Sequence, residues 1–202
     1  MCRKCFPTPI FPNPKNEPPP RADEGLPPLI ILGIDPGSRI TGYGFIHNEP
    51  NRMRYVESGH IRVQGDTFPQ RLGNIFAQLS ELIATHRPQH MSIENVFMHK
   101  NADSALKLGQ ARGAAICAAF NAGMEVSEYA PREIKLALVG KGSAHKDQVK
   151  HMVMHLLSLR EDLQVDEADA LAIAICHAQH SAMESRTGIP AKAFSKRRSY
   201  RR

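Results

Sequence analysis

LIILGIDPGS (residues 29–38) is the stretch that decides the fold, because it joins an apolar run to a tight turn that carries an acid. The run Leu29–Ile34 has the length and the β-branched content of a buried strand. Asp35-Pro36-Gly37-Ser38 then breaks the strand with turn-forming residues. This stretch predicts a strand with a carboxylate just beyond its carboxyl end.

The segments that follow predict a mixed α/β sheet. Strands are expected at 43–47 and 55–63, and their short connections to the first strand imply an antiparallel meander. Two more strands, at 91–96 and 125–129, are expected to alternate with helices, which implies parallel crossovers. The predicted helices span 68–86, 101–121, 131–139, 145–159 and 166–180.

Both ends of the chain differ in composition from the part between them. The first 28 residues hold nine of the fifteen prolines, and proline cannot sustain helix or sheet hydrogen bonds. The last 17 residues carry seven basic and no acidic side chains. We therefore expect a disordered Pro-rich extension at 1–28, one folded domain at 29–182 and a disordered basic tail at 183–202.

The positive net charge of the chain gives little support for nucleic-acid binding by its folded part. The chain has a formal net charge of +6, but residues 29–185 carry 15 basic and 17 acidic side chains. The basic character therefore belongs to the tail. Net charge also bears on solubility and non-specific binding rather than on fold.

The composition is that of an ordinary soluble globular protein, with 42% hydrophobic and 23% charged residues. No apolar run approaches the roughly 18 residues that a membrane span needs. Four cysteines do not suggest a disulfide scaffold, and Cys117 and Cys176 lie in apolar stretches typical of a core. We expect a cytoplasmic protein with no membrane partner.

Four acidic residues stand where carboxylates are unusual. Asp35 directly follows an apolar strand, and Glu94 interrupts the strand predicted at 91–96. Asp166 and Asp169 share one face at the start of an apolar helix. Buried carboxylates that lie close together repel each other, which favours divalent cations with oxygen ligands, such as Mg²⁺. Two such ions can activate a water and stabilise the leaving oxygen in phosphoryl transfer.

Each acid alone also has an ordinary explanation. Asp35 before Pro-Gly is a common turn residue, and Asp166 suits a helix N-terminus. Glu94 is the hardest to explain in this way, because a glutamate between apolar strand residues is rare. Taken together, the four acids favour a metal-dependent site over four independent structural roles.

Three segments resemble the motifs of the RuvC family of Holliday-junction endonucleases. The first is GIDPGS at 33–38 followed by TGYG at 41–44, and the third is DEADALAIA at 166–174. The second, IENVFM at 93–98 followed by KNADSALKLGQARG at 100–113, is the most specific. The resemblance covers residues 29–180. GIDPGS alone would be weak, since sugar kinases and actin-like ATPases have similar turns.

The resemblance implies a ribonuclease-H-like fold, with a five-stranded mixed sheet flanked by helices on both faces. It also implies a homodimer that resolves four-way DNA junctions by symmetric paired nicks in recombination and repair, leaving 5′-phosphate ends. Its cofactor would be two Mg²⁺ per active site, with Mn²⁺ able to substitute. A branch-migration complex of a junction-binding subunit and a ring helicase would be the working partner. The metal-binding catalytic acids would be Asp35, Glu94, Asp166 and Asp169.

The resemblance extends to residues that handle DNA. Phe97 would stack against unpaired bases at the junction centre. Lys135 and Lys146 would act near the scissile phosphate, both as catalytic residues and as DNA contacts. Candidate contacts with the DNA backbone are Lys100, Lys107 and Arg112. A core phenylalanine and solvated helix lysines are the ordinary alternatives.

Two further hypotheses concern activity and assembly. A junction-binding protein that has lost catalysis would share the same fold, although the presence of all four acids argues against it. An actin-like ATPase would need a second similar domain, for which the chain is too short. We expect the homodimer to form through the Ala-rich helix at 101–121, because a two-fold axis would set two sites opposite each other across the junction.

Overall fold

The computed structural model describes residues 29–49, 52–95 and 101–187. Its strands are β1 (Leu29–Asp35), β2 (Ile40–Glu49), β3 (Arg52–Arg62), β4 (His90–Glu94) and β5 (Glu125–Tyr129). Its helices are α1 (Phe68–His86), α2 (Ala102–Asn121), α3 (Pro131–Val139), α4 (Lys146–Leu156) and α5 (Val165–Thr187). The order and the type of these elements agree with the prediction from sequence.

The five strands form one mixed sheet in the order β3-β2-β1-β4-β5. The strands β1, β2 and β3 are an antiparallel meander. The strands β1, β4 and β5 run parallel. The stretch LIILGID therefore lies at the centre of the sheet, which accounts for its continuous apolar sequence, because a strand covered on both faces needs apolar side chains on both.

Helices cover both faces of the sheet. On one face, Leu32 and Ile34 of β1 pack in a core with buried residues of α1 and α2. On the other face, Ile31 packs in a core with buried residues of α3, α4 and α5. Because side chains alternate along a strand, Gly33 and Asp35 lie on the same face as Ile31. The carboxylate that ends β1 therefore lies on the face that α5 covers.

Glycines let α5 approach the backbone of β1 and β2 directly. A Cβ atom at Gly33 would lie 2.0 Å from the carbonyl oxygen of Ala170. A Cβ atom at Gly42 would lie 2.2 Å from the carbonyl oxygen of Asp166. Gly42 is also the partner of Asp35 in the β1–β2 pairing. These glycines therefore place the first turns of α5 beside the carboxyl end of β1.

The structure corrects several predicted boundaries: β2 and β3 begin three residues earlier, α4 ends at Leu156, and two further differences concern the site and the tail. Glu94 is the last residue of β4 and does not interrupt a longer strand. Helix α5 continues past His180 to Thr187, so the first five residues of the predicted disordered tail are helical. The chain offers no helix-breaking residue before Gly188 and Pro190, which explains the longer helix. The extension 1–28 and the remaining tail 188–202 lie outside the described residues.

The two cysteines predicted to lie in the core differ. Cys176 is buried within α5, whereas Cys117 is exposed on α2. The sequence around Cys117 is apolar on all sides, so its pattern could not reveal that one side of α2 faces outward. Among the helices that the structure describes, none is both long and apolar enough to cross a membrane.

Candidate active site

Asp35 and Glu94 end neighbouring parallel strands at the same edge of the sheet. Ile34 of β1 is paired with Ile93 of β4, so the next residues, Asp35 and Glu94, lie adjacent to each other. Both side chains are half-buried. Ser92 and Ile93, the two residues before Glu94, are buried. Ile93 packs in the core between the sheet and the helices α1 and α2. By strand alternation Glu94 lies on the opposite face, together with Asp35.

Helix α5 adds the other two acids to this group. Asp166 lies over Gly42, the residue opposite Asp35 in the sheet. Asp169 follows three residues later on the same face of the helix. The four predicted acids therefore come from three elements and meet at one edge of the sheet.

Electrostatic coupling between the carboxylates is visible in their pKa values. The pKa of Asp35 is raised from 3.8 to about 7, first by burial and then by the charges of Asp169, Glu94 and Asp166. The pKa of Glu94 is also raised, by burial and by Asp169. Without a cation, Asp35 is therefore partly protonated near neutral pH, which lowers the negative charge of the site.

Lys146 is the cation in closest contact with these acids among the described ion pairs. Its Nζ lies 2.6 Å from Oδ2 of Asp169, while 69% of its side chain remains exposed. The hydrogen bond to Asp169 raises the pKa of Lys146, so the ammonium stays charged. Lys135 of α3 also acts on the group, since its charge lowers the pKa of Glu94. Lys146 thus contacts the carboxylate group, and Lys135 is near enough for its charge to act on Glu94.

The chemistry of the donor set fits a hard divalent cation. All four side chains offer carboxylate oxygens, and their mutual repulsion is the energetic reason to bind a cation. The described residues nevertheless contain no group of three or more His, Cys, Asp or Glu side chains already arranged to hold a metal ion. In this structure Asp169 is engaged by Lys146. The carboxylates are therefore coupled through their charges without forming a closed coordination shell.

The other predicted DNA contacts have different surroundings. Lys107 lies on the exposed side of α2 and pairs with Asp103 at 2.6 Å. Arg112 is directed inward, and 18% of its side chain is exposed. Its guanidinium binds the end of β4, which the sequence pattern did not reveal. Phe97 and Lys100 lie outside the described residues, so their roles stay predictions.

A buried polar contact beneath α5 was also missed from the sequence. The His177 ring lies 2.8 Å from Nδ1 of His90 and 2.8 Å from the hydroxyl of Tyr129. Burial, followed by the charges of His90 and His180, lowers the pKa of His177 to about 4. The ring is therefore neutral at pH 7 and ties α5 to β4 and β5. Its only signal in the sequence is a histidine in the apolar run LAIAICHA.

The sheet order and the helices on both faces define a ribonuclease-H-like α/β protein, and Asp35 and Glu94 lie at the carboxyl ends of β1 and β4. Residues 31–177 match the family Crossover junction endodeoxyribonuclease RuvC. The chain therefore belongs to the RuvC family.

Named relatives cover most of the chain. It is 57% identical over 151 residues to the crossover junction endodeoxyribonuclease RuvC of Ectopseudomonas mendocina, a match that spans 75% of this chain and 87% of the relative. It is 55% identical over 156 residues to the protein of the same name from Methylococcus capsulatus, spanning 77% and 94%.

Solved structures show the same fold. The structure of Thermus thermophilus RuvC superposes with a TM-score of 0.71 at 34% identity, covering 77% of this chain and 96% of that one. The structure of T. thermophilus RuvC in complex with a Holliday junction substrate gives a TM-score of 0.69 at 32% identity, with the same coverage.

Proposed function

We propose that this protein is a metal-dependent endonuclease that resolves four-way DNA junctions by paired hydrolytic nicks. The observation that carries the proposal is the electrostatically coupled group of four carboxylates, in a chain of the RuvC family. The raised pKa values of Asp35 and Glu94 at one edge of the sheet suit a site for phosphodiester hydrolysis, since bound cations would neutralise the carboxylates and the phosphate together.

The proposed metal ligands are Asp35, Glu94, Asp166 and Asp169. Asp35 is the best placed to contact more than one ion, because it ends the central strand and feels the charges of the other three acids. Two Mg²⁺ ions per site are proposed, with Mn²⁺ able to substitute, and they would supply the Lewis acidity that activates a water. In-line attack by that water would leave 5′-phosphate and 3′-hydroxyl ends.

Lys146 and Lys135 are proposed to act on the phosphate. The Lys146 ammonium is exposed and lies 2.6 Å from Asp169, so a phosphate bound at the carboxylates would lie within its reach. A fixed ammonium at this point would stabilise the charge that develops on the phosphate oxygens during hydrolysis. Lys135 would add a second positive charge from α3, on the side of Glu94.

A homodimer is proposed through one face of α2. This face carries apolar or small residues at helical spacing, and Leu106 is 62% and Phe120 is 78% exposed. Between them, Gly109 and Gly113 have open space on their outer side, with no atom within 4 Å of a Cβ placed there. Such a strip would let two α2 helices approach closely across a two-fold axis. The two active sites would then face the two symmetric strands of a junction.

The remaining parts of the proposal rest on family resemblance. Phe97 would stack against bases at the junction centre, and Lys100 and Lys107 would contact the DNA backbone. A branch-migration complex with a junction-binding subunit and a ring helicase would be the working partner in the cytoplasm.

The test is the cleavage of a synthetic four-way junction with mapped cut positions, with and without Mg²⁺. We expect paired, symmetric cuts that require Mg²⁺ or Mn²⁺. Asp35→Asn is expected to bind the junction and to leave it uncut, because it removes one central ligand. A wild-type protein that binds the junction and never cuts it would show instead a catalytically silent binding protein.

A further inference from the structure

The guanidinium of Arg112 holds the end of β4. Its Nε donates to the backbone carbonyl of Glu94 at 3.2 Å, and one Nη donates to Oδ1 of Asn95 at 3.4 Å. The same Nη lies 2.8 Å from Oε2 of Glu128 on β5. One side chain of α2 thus joins three residues at the edge of the sheet where the carboxylates lie.

The backbone at this edge has two supports. The amide of Asn95 donates to the carbonyl of Tyr129 at 2.8 Å, which continues the β4–β5 pairing one residue past Glu94. The carbonyl of Glu94 is bound from the other side by Arg112. Hydrogen bonds from a charged donor are about twice as strong as neutral ones. The direction in which the Glu94 side chain leaves the strand is therefore set by its backbone contacts with β5 and with α2.

Arg112 acts on the backbone rather than on the carboxylate. The charges that shift the pKa of Glu94 come from Asp169, Lys146 and Lys135. Only 18% of the Arg112 side chain is exposed and its guanidinium is engaged by Glu94, Asn95 and Glu128, which disfavours the alternative role of a contact with a DNA phosphate.

We propose that Arg112 is a positioning residue, which fixes the carboxyl end of β4 so that the Glu94 carboxylate is held at the metal site. This inference rests on the proposed nuclease function. It also connects α2 directly to the active site, since Arg112 of α2 positions Glu94, a proposed metal ligand. The same helix carries the exposed residues Leu106 and Phe120 of the proposed dimer interface. A change in the position of α2 would move the end of β4.

The experiment compares Arg112→Gln and Arg112→Lys with wild type. Single-turnover cleavage of a four-way junction is measured over a Mg²⁺ titration, junction affinity is measured without metal at two salt concentrations, and thermal melts report folding. Arg71→Gln is the control, because the Nε of Arg71 also donates to a backbone carbonyl, that of Gly65 at 3.0 Å, and makes no contact with β4 among the described hydrogen bonds.

We expect Arg112→Gln to lower the cleavage rate about ten-fold or more and to raise the half-saturating Mg²⁺ concentration, with junction affinity within about two-fold of wild type. Arg112→Lys should restore part of the rate, since an ammonium can still donate to the carbonyl. Arg71→Gln should keep both the rate and the Mg²⁺ requirement within about two-fold of wild type.

Two results would overturn the role of Arg112. One is an Arg112→Gln protein with the wild-type rate and Mg²⁺ requirement. The other is a loss of junction affinity with a shallower salt dependence, which would identify a phosphate contact. If Arg112→Gln does not fold, Arg112→Lys decides by the same criteria. A wild type that never cuts would overturn the proposed function itself, whereas a cutting wild type with an equally active Arg112→Gln would overturn only the positioning role.

Discussion

Asp35 shows at the scale of one residue why this carboxylate group calls for a cation. Its pKa of about 7 lies above the usual value of 3.8, so the folded protein holds a proton that the unfolded chain has lost. Between these two pH values, stability therefore falls as pH rises. Below pH 3.8, Asp35 is protonated in both the folded and the unfolded protein. Above pH 7 it is ionised in both, and the full loss of folding stability is present at every pH.

Asp35→Asn is therefore expected to stabilise the metal-free protein at pH 8. The gain should be on the order of 1–3 kcal/mol, since each pKa unit corresponds to about 1.4 kcal/mol and the site is open to solvent. The gain should shrink at pH 4, where Asp35 is mostly protonated in the folded state. Urea denaturation in EDTA at the two pH values measures both free energies of unfolding.

Asp162→Asn is the matched control for this substitution. Asp162 is 81% exposed and pairs with Lys150, so its replacement should have a small effect at both pH values. Equal stability of wild type and Asp35→Asn at pH 8 would show that the ionised Asp35 side chain does not destabilise the folded protein.

Lys146 permits a second test at the same scale. Lys146→Gln is expected to lower the cleavage rate about 10²-fold, the effect of removing one stabiliser of transition-state charge. Single-turnover kinetics on a four-way junction measure it. Lys150→Gln is the control, since Lys150 lies on the same helix and pairs with Asp162 outside the carboxylate group. Equal rates for the two variants would remove Lys146 from the proposed mechanism.

At the scale of elements, the contact between α5 and the sheet determines the site. Gly42→Ala would place a Cβ 2.2 Å from a backbone oxygen of α5, which no side-chain rotation relieves. We expect a loss of about 1–3 kcal/mol in the free energy of unfolding, the usual cost of overpacking, together with slower cleavage because Asp166 moves. Denaturation and junction cleavage are measured on the same preparation.

Gly73→Ala on α1 is the control for Gly42→Ala. A Cβ at Gly73 meets no atom within 4 Å, and alanine favours the helix over glycine by about 0.5–1 kcal/mol. This variant should therefore be at least as stable as wild type and cleave at the same rate. If Gly42→Ala behaved in the same way, the close approach of α5 would not matter for the site.

The elements themselves were largely predictable from sequence, because apolar periodicity and turn residues mark them locally. The bounds of α1, β5 and α3 agree with the prediction to the residue. The four acids could be singled out from the sequence too, since carboxylates among apolar residues are costly, and their role as metal ligands stays a prediction. The inward direction of Arg112 and the contact of His177 with His90 were not, because each depends on a partner that is distant in the chain. The extension of α5 to Thr187 was missed because its polar last turns lack an apolar pattern.

At the scale of the whole molecule, the exposed strip on α2 predicts the oligomeric state. Phe120→Glu should convert a wild-type dimer into a monomer, because it would bury a charge in the apolar interface proposed along α2. Light scattering at micromolar concentration gives the mass directly. Met183→Glu is the control, since Met183 is 52% exposed and lies on α5 rather than on α2. A monomeric wild type would contradict the proposed assembly.

The position of α5 at the end of the described chain also bears on how the enzyme is made. Domains form while the ribosome adds residues from the N-terminus onward, at about 5–20 residues per second. A nascent chain that ends before Val165 contains all five strands yet carries only two of the four acids. Under the proposed mechanism it has no means to cut DNA. The order of synthesis itself thus delays nuclease activity until the helix that completes the active site has left the ribosome.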